Sequence, residues 1–378
     1  MPWLIRLVSA LTSTLLLTLG SLSAGAFGQA SAAPPEAGAL SEAQLTALQG
    51  ALRKEFDAQG LVGLAVGVVR EGRVAHELYF GLADRANEQP VAAHTLFRWA
   101  SISKPVTAVA ALQLVESGAL DLDRDVREYV PEFPEKPWPI SARQLLCHQG
   151  GVVHYTNGEV VRTKREYEAE HPFEDLVVAL DMFKESPLIA QPGTTYSYTT
   201  HGFMLLGAVV QRAGGAPFAA QVQSRIAAPA GMMTFRPDYQ WLELPHRAVG
   251  YVRVGERVLP STNTDVSWKL PGGGYVSTVG DLARFVAALM GDTLLPRRAL
   301  DRMWTAQRTA DGAATSYGLG FGVARVDGRL RVAHTGSQEK TRTLMQFFPD
   351  ERVGLVLMTN SEWARLGPVA EAAWLLLR

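Results

Sequence analysis

The chain has 378 residues, of which 36 are Lys or Arg and 37 are Asp or Glu, so its formal net charge is −1. This balance gives no electrostatic attraction to nucleic acid or to an anionic membrane. Cys147 is the only cysteine, which excludes an internal disulfide and leaves packing to hold the fold. We expect a buried structural thiol, because Cys147 lies in an apolar segment that opens with the capping-box spacing of Ser141 and Gln144.

The N-terminal segment has the features of a secretory signal peptide. Arg6 precedes an uncharged, mostly apolar run over residues 7–22, and small residues suited to cleavage follow at 24–26 and 30–32. An uncleaved membrane anchor is the alternative, but hydroxyl residues and Gly20 interrupt the run, and a spanning helix needs about 20 apolar residues. We predict a signal peptide over residues 1–32, a linker over 33–40, and an exported protein that is periplasmic or extracellular after cleavage.

The remaining chain, residues 41–378, alternates between β and helical patterns. Ser41 caps a predicted helix that Gly60 ends, and strands are predicted at residues 61–69, 73–81 and 95–99. Helices then dominate, at residues 142–148, 173–184, 201–212, 217–227 and 281–290, with short strands near 248–254 and 257–259. Four strands follow, at residues 317–326, 329–334, 341–348 and 353–359, and a helix over 369–377 ends the chain.

These patterns predict an α/β fold of the α+β type. The first hairpin and the last four strands each have an apolar face, and they pair most economically into one antiparallel sheet flanked by helices. The sheet subdomain then comprises residues 41–103 and 301–378, and residues 104–300 form a mostly helical insertion. We expect the functional cleft between the insertion and the sheet.

Ser101 and Lys104 lie at the predicted start of a buried helix. At this spacing both side chains project from one helical face, with Cβ atoms about 5 to 6 Å apart. A serine needs an adjacent base to become nucleophilic, and a lysine serves only if burial or nearby positive charge keeps part of it neutral. Pro105 predicts that the first turn is irregular or that the regular helix begins at Pro105 itself. Such a pair also occurs by chance in many proteins.

Two further polar stretches can complete such a site. Tyr198 is a candidate acid or base, because its ordinary pKa of about 10 is close to that of lysine; plain packing is the alternative. A His-Thr-Gly-Ser stretch at residues 334–337 ends a predicted strand, where the glycine lets another backbone approach closely. The backbone N–H groups of Ser101 and Ser337 would then form an oxyanion hole. A strand end with a polar turn is the alternative.

These three pieces, in this order, resemble the serine β-lactamase and penicillin-binding-protein superfamily, nearest its class C and esterase-like branch. Supporting stretches are residues 120–123, 145–151, 192–194 and 272–282, and residues 101–105, 129–136 and 198–200 look like a mitochondrial, peptidase-type branch. The resemblance implies a β-lactamase/transpeptidase-like fold with Ser101 as nucleophile and Lys104 and Tyr198 as its base network. It also implies oxyanion-hole N–H groups at Ser101 and Ser337 and a substrate-binding set of Thr200, His334, Thr335 and Gly336.

Two positions depart from the drug-hydrolysing members of that superfamily. Thr200 stands where they usually carry asparagine, and His334 stands where they carry lysine. A histidine with a pKa of about 6.5 is mostly neutral at pH 7 and binds a substrate carboxylate less firmly. We therefore expect hydrolysis of a peptide, amide or ester bond through an acyl-serine intermediate. The alternatives are a weak β-lactamase or D,D-peptidase acting on cell-wall peptides, and a non-catalytic binding or assembly protein on the same scaffold.

Other hydrolase classes fit the sequence less well. The eight histidines show no zinc-protease spacing, and the Gly-x-Ser-x-Gly pattern of α/β-hydrolases is absent, so we expect no metal and no cofactor. The expected partner is a small-molecule or peptide substrate, with no nucleic acid, and with membrane contact only through an uncleaved signal segment. The acyl group of the substrate and the oligomeric state stay open.

Overall fold

A seven-stranded antiparallel sheet forms the centre of the computed structural model, which describes residues 38–377. The predicted signal peptide and most of the predicted linker lie outside these residues. The sheet comprises β1 (Gly63–Arg70), β2 (Arg73–Asp84), β3 (Gln89–Pro90), β9 (Gly322–Val326), β10 (Arg329–Gln338), β11 (Thr341–Phe348) and β12 (Val353–Thr359). Its strand order is β3-β2-β1-β12-β11-β10-β9, so β1 pairs with β12. The predicted sheet, built from the two ends of the folded chain, is confirmed.

Helices and short strands occupy the middle of the chain. The short strands are β4 (Phe97–Arg98), β5 (Arg236–Pro237), β6 (Tyr251–Val254), β7 (Arg257–Pro260) and β8 (Tyr275–Ser277), of which β4, β8 and β5 form one small sheet and β6 and β7 a hairpin. The α-helices are α1 (Glu42–Gln59), α2 (Ser103–Glu116), α3 (Ala142–Leu146), α4 (Leu176–Ala179), α5 (Thr200–Ala213), α6 (Phe218–Val222), α7 (Leu270–Gly273), α8 (Val279–Leu289), α9 (Arg297–Met303) and α10 (Leu366–Leu377).

Helices cover both faces of the large sheet. Side chains alternate along β1, so Leu64 and Val66 pack in a buried cluster with α1 and α10, while Ala65 packs in the main core with α2 and α8. Gly67 allows α8 to approach this second face, because a Cβ atom there would lie 3.0 Å from the Cβ atom of Ala283. The sheet is therefore buried on both faces between two helical layers.

The local signals at turns and helix ends are confirmed. Ser41 and Ser141 each form a capping box, and Gly60 ends α1 in the left-handed conformation, with φ +57°. Glu71 and Gly72 join β1 to β2 and both have positive φ, as a two-residue type I′ turn requires. These signals fix where the first hairpin turns and where α1 stops.

Some predicted boundaries are wrong. The predicted helix over residues 173–184 is broken into three short pieces, because extended Asp175 caps a new helix by accepting a hydrogen bond from the Val177 N–H at 3.0 Å. Residues 317–321 do not belong to β9, because Gly320 turns the chain at φ +85°. The predicted strand that ends at His334 continues to Gln338, which extends β10 along the cleft described below.

Within residues 38–377, no single helix has both the length and the apolar composition needed to cross a membrane. One pair of helices, Thr200–Ala213 and Phe218–Ala227, passes that test together but is bent by 79°.

Candidate active site

Ser101 lies in a short 3-10 turn, Ala100–Ile102, between β4 and α2. Ala100 has φ +48°, a left-handed conformation that is uncommon for a residue with a Cβ atom. Two hydroxyl groups hold the turn: Thr343 Oγ1 donates to the Trp99 carbonyl at 2.9 Å, and Ser103 Oγ donates to the Ala100 carbonyl at 2.8 Å. The irregular turn that Pro105 predicts is present, and the surrounding contacts keep it in a strained conformation.

Gly336 lets β10 lie directly against this turn. A Cβ atom at residue 336 would lie 2.6 Å from the Trp99 carbonyl oxygen and 2.1 Å from Thr343 Oγ1, so only glycine fits. The neighbours Thr335 and Ser337 are exposed on the opposite side of the strand and line the same cavity as Ser101. The structure therefore brings the predicted oxyanion-hole residues together, although their role stays a prediction.

Lys104 is completely buried, and its side chain extends to Ser101. Its Nζ atom lies 3.1 Å from Ser101 Oγ, 3.2 Å from Thr200 Oγ1 and 2.8 Å from the Gly272 carbonyl oxygen. No carboxylate in the described chain forms an ion pair with it. Burial, assisted by the positive charge of Lys269, holds the pKa of Lys104 well below the ordinary value for lysine. A neutral amine donates to the Gly272 carbonyl and to Thr200, and its lone pair can accept the proton of Ser101.

Tyr198 hydrogen bonds to Ser101 and lies over Lys104, whose Nζ atom is 4.8 Å from the centre of the tyrosine ring. Burial raises the pKa of Tyr198 above its ordinary value, and its hydrogen bond to Ser101 opposes this shift only in part. The phenol therefore stays protonated under ordinary conditions. Of the two predicted roles, acid or base, the protonated state fits the acid: the buried phenol can give a proton and the amine beside it can take one, although the role of Tyr198 stays a prediction.

His334 lies beside the cavity and not in it. Its Nδ1 donates to the Thr335 carbonyl at 2.7 Å, and its Nε2 accepts from the Tyr317 hydroxyl at 2.8 Å. Burial, the largest cause, lowers the pKa of His334 to about 3, so the ring is neutral. The ring therefore supplies no positive charge, and the predicted substrate contacts of His334 and the exposed Thr335 stay predictions.

The cavity above Ser101 has a volume of about 280 Å³ and lies between β10 and the helical middle of the chain. Its lining includes residues that sequence reasoning missed, namely His154, Tyr155, Lys269, Gly272, Gly273 and Gln338. His154 Nδ1 accepts a hydrogen bond from the Thr200 N–H at 3.1 Å, and burial lowers the pKa of His154 to about 4. Only the glycine run at 272–274 carried a signal, since consecutive glycines predict a close approach of backbone, here to Lys104 and Ala100.

Cys147 is absent from the cavity lining and is buried, as predicted. Burial raises the pKa of its thiol to about 12, so it carries no thiolate at neutral pH.

A serine within hydrogen-bond distance of a buried lysine whose pKa is lowered, with a tyrosine beside both, is an arrangement typical of serine hydrolases. The chain belongs to the Beta-lactamase family, whose model matches residues 48–376. The chain is 30% identical over 302 residues to the human serine beta-lactamase-like protein LACTB, mitochondrial. The aligned region covers 63% of this chain and 55% of the human protein. This chain therefore spans little more than half the length of that relative.

Two further similarities concern bacterial and archaeal proteins. The chain is 28% identical over 306 residues to penicillin-binding protein 4* of Bacillus subtilis, which covers 77% of this chain and 66% of that protein. The structure of an octameric penicillin-binding protein homologue from Pyrococcus abyssi matches with a TM-score of 0.74 at 23% identity, covering 88% of this chain and 77% of the other. The predicted superfamily and fold are confirmed.

Proposed function

We propose that the protein hydrolyses a peptide, amide or ester bond through an acyl intermediate on Ser101. The observation that carries this proposal is the buried amine of Lys104, which lies 3.1 Å from Ser101 Oγ and has no carboxylate partner within residues 38–377. A relative named Esterase EstB, from Burkholderia gladioli, is 33% identical over 208 residues and covers 52% of this chain and 53% of that protein. Its name supports the ester branch of the proposal.

Acylation begins when Ser101 Oγ attacks the substrate carbonyl carbon and its proton passes to the neutral Nζ of Lys104. Negative charge then develops on the carbonyl oxygen, and the N–H groups of Ser101 and Ser337 are the proposed donors to it. The intermediate collapses when the bond to the leaving group breaks. The leaving group takes a proton from the Tyr198 hydroxyl, and Lys104 returns the proton to the tyrosine.

Deacylation repeats these steps with water in place of the leaving group. Water attacks the acyl carbon, Ser101 Oγ leaves, and the proton of the water passes to the Tyr198 and Lys104 pair before it returns to Ser101. The site is restored with no net change in its protonation. Accumulation of the acyl-enzyme, seen as a burst, is expected wherever this second half is slower than the first.

The environment of His334 favours peptide, amide and ester substrates over β-lactam antibiotics. His334 is neutral, buried and hydrogen bonded on both ring nitrogens, so it leaves no cation at the position where drug-hydrolysing members carry lysine. Thr200 is engaged by Lys104 and replaces the asparagine of those members. Cell-wall peptide hydrolysis is the second candidate, because several relatives are named penicillin-binding proteins.

A panel of substrates tests this proposal. Short aryl esters, D-amino-acid peptides, aspartyl peptides and a chromogenic cephalosporin are incubated with the wild-type protein, and initial rates and burst amplitudes are recorded. We expect turnover of an ester or amide with kcat/KM at least about 100-fold above that for the cephalosporin. Cephalosporin hydrolysis as fast as the best ester would overturn the preference, and the absence of turnover together with the absence of fluorophosphonate labelling would overturn the proposed activity.

Changing Tyr198 to phenylalanine is expected to slow acylation by roughly 100-fold, because the leaving group then loses its proton donor. The effect should be larger for an amide than for an aryl ester, since a nitrophenolate leaves without protonation. Stopped-flow measurement of the burst phase with both substrates checks this. Equal losses on the two substrates would indicate that Tyr198 orients Ser101 and does not protonate the leaving group.

We further propose that the protein works after export, on a small-molecule or peptide substrate. The support is the N-terminal pattern of one arginine, an apolar run and small residues. Fractionation of producing cells and N-terminal sequencing of the protein test it. A mature N-terminus near residues 26–33 in an extracytoplasmic fraction is the expected result, and an intact N-terminus in the cytoplasm would contradict it.

A further inference from the structure

A second lysine, Lys269, lines the cavity above Ser101. It ends a 3-10 helix, Ser267–Lys269, that runs directly into α7, the helix whose Gly272 carbonyl binds Lys104. Within residues 38–377, no carboxylate lies within 4 Å of its Nζ atom and no hydrogen bond to it is found. Among the described residues, Lys269 is therefore a cation at the cavity wall with neither a carboxylate nor a hydrogen-bond partner.

Around Lys269, the loss of solvent outweighs the compensation of its charge by nearby carboxylates. Burial lowers the pKa of Lys269, and Arg98 adds to that effect, while the carboxylates of Glu339 and Asp265 oppose it from a distance. Asp265 is already occupied, since it accepts hydrogen bonds from the N–H and the hydroxyl of Ser267 at 2.9 and 2.8 Å. The Trp268 ring, with its centre 5.8 Å from Nζ, shields one side of the ammonium group. An unpaired ammonium in such a place gains from any anion that enters the cavity.

The rest of the cavity lining offers no competing charge. No aspartate or glutamate lines it, and its other members are uncharged side chains or backbone, including His154, whose low pKa of about 4 keeps it neutral. His334, also neutral, lines a separate pocket with Tyr196, Tyr317 and Ala333. Tyr198 and Thr335 line both pockets, so they stand where the cavity with Lys269 meets the aromatic pocket.

The two pockets suggest where the leaving group and the acyl group of a substrate bind. The leaving group must reach the Tyr198 hydroxyl, and beyond Tyr198 lies the aromatic pocket, which is uncharged. The acyl half then occupies the cavity that Ser101 itself lines, along Thr200, Gly272 and Lys269.

We propose that Lys269 is a specificity-determining residue that binds a carboxylate, or a group of similar charge, carried by the acyl half of the substrate. The proposal rests on the proposed function, because it assigns the substrate class of the same site. An acyl chain that ends in a carboxylate pairs with Lys269, whereas a neutral chain of the same shape leaves the buried ammonium unpaired.

Two substrates that differ in one group test this inference. One carries a glutaryl acyl group with a free terminal carboxylate, and the other carries the matching acyl group with a terminal carboxamide, on the same leaving group and in the bond type that the wild type cleaves. The wild type should prefer the carboxylate by roughly 10- to 100-fold in kcat/KM, as expected for a hydrogen bond to a charged group. Lys269→Met should reduce this preference to within about 3-fold, and Lys269→Arg should retain much of it.

The ratio of the two kcat/KM values is the readout, because Lys269 also lowers the pKa of Lys104 and its loss changes both rates through that base. Lys340→Met is the matched control, because it also replaces a lysine by methionine. Lys340 donates a hydrogen bond to Asn263 and lies outside the cavity lining. The control should keep the wild-type ratio. A wild-type ratio near one, or a Lys269→Met protein with the wild-type ratio, would overturn the inference while the proposed function stands. If the wild type cleaves no acyl substrate at all, these two included, both the inference and the proposed function are overturned.

Discussion

Alanine at position 101 is expected to abolish turnover, lowering kcat by at least about 10⁴-fold on the best substrate, because the oxygen that forms the acyl intermediate is removed. The 3-10 turn and the Lys104 amine remain, so the variant should fold and bind substrate. Covalent labelling by a fluorophosphonate should disappear completely. Steady-state kinetics, together with intact-protein mass measurement after labelling, checks both expectations.

Ser117→Ala is the matched control for this variant. Ser117 lies at the other end of α2, where its hydroxyl donates to the Leu114 carbonyl at 3.0 Å, far from the cavity lining. It should label and turn over like the wild type. An adduct of equal amount on the Ser101→Ala protein would show that another nucleophile carries the reaction, and undiminished turnover would show that hydrolysis needs no acyl-serine.

Replacing Lys104 by methionine is expected to lower kcat/KM by roughly 10³-fold, within the range found for loss of a general base. Lys104→Arg should be comparably inactive, because a guanidinium cannot be deprotonated in a protein and so cannot accept the proton of Ser101. The methionine variant removes the amine altogether, and the arginine variant retains hydrogen-bond donors that cannot act as a base. Stopped-flow acylation rates and circular dichroism, to verify folding, provide the measurement.

The fold around Lys104 makes the methionine variant informative. The amine is fully buried, and only uncharged groups accept its hydrogen bonds, so an apolar side chain of similar length occupies the same space. Its removal leaves the Gly272 carbonyl without this donor, which costs about 1 to 3 kcal/mol of folding free energy. A Lys104→Met protein that acylates within about 10-fold of the wild-type rate would assign the base to another group, and Tyr198 would be the first to examine.

Much of the site could be predicted from the chain because its parts are local. Ser101, Lys104 and Pro105 lie within one turn, and their spacing alone places a hydroxyl beside an amine. The stretch at 334–337 could be placed only at the end of a strand, and Gly336 marked a close approach of backbone, which the structure shows to be that of Trp99. The antiparallel sheet followed from apolar strands at both ends of the folded chain.

What escaped prediction depends on distant parts of the chain. Nothing around Lys269 in the sequence distinguishes it from a solvated lysine, since its burial comes from packing against segments far away. The protonation of Tyr198 and His334 likewise follows from burial that only the folded structure creates. The left-handed conformation of Ala100, with φ +48°, could not be predicted for a related reason. Alanine has no preference for that conformation, and only tertiary contacts impose it.

The pH dependence of Ser101 labelling tests the central claim most directly. The neutral fraction of Lys104 grows as the pH rises through its pKa, so the rate of reaction with a fluorophosphonate should increase with pH and then level off. Because burial lowers that pKa, we predict a half-maximal rate well below pH 10.5, the ordinary value for a lysine. A labelling rate that does not change with pH, or one that still rises in proportion to hydroxide at pH 10.5, would contradict activation of Ser101 by a neutral Lys104.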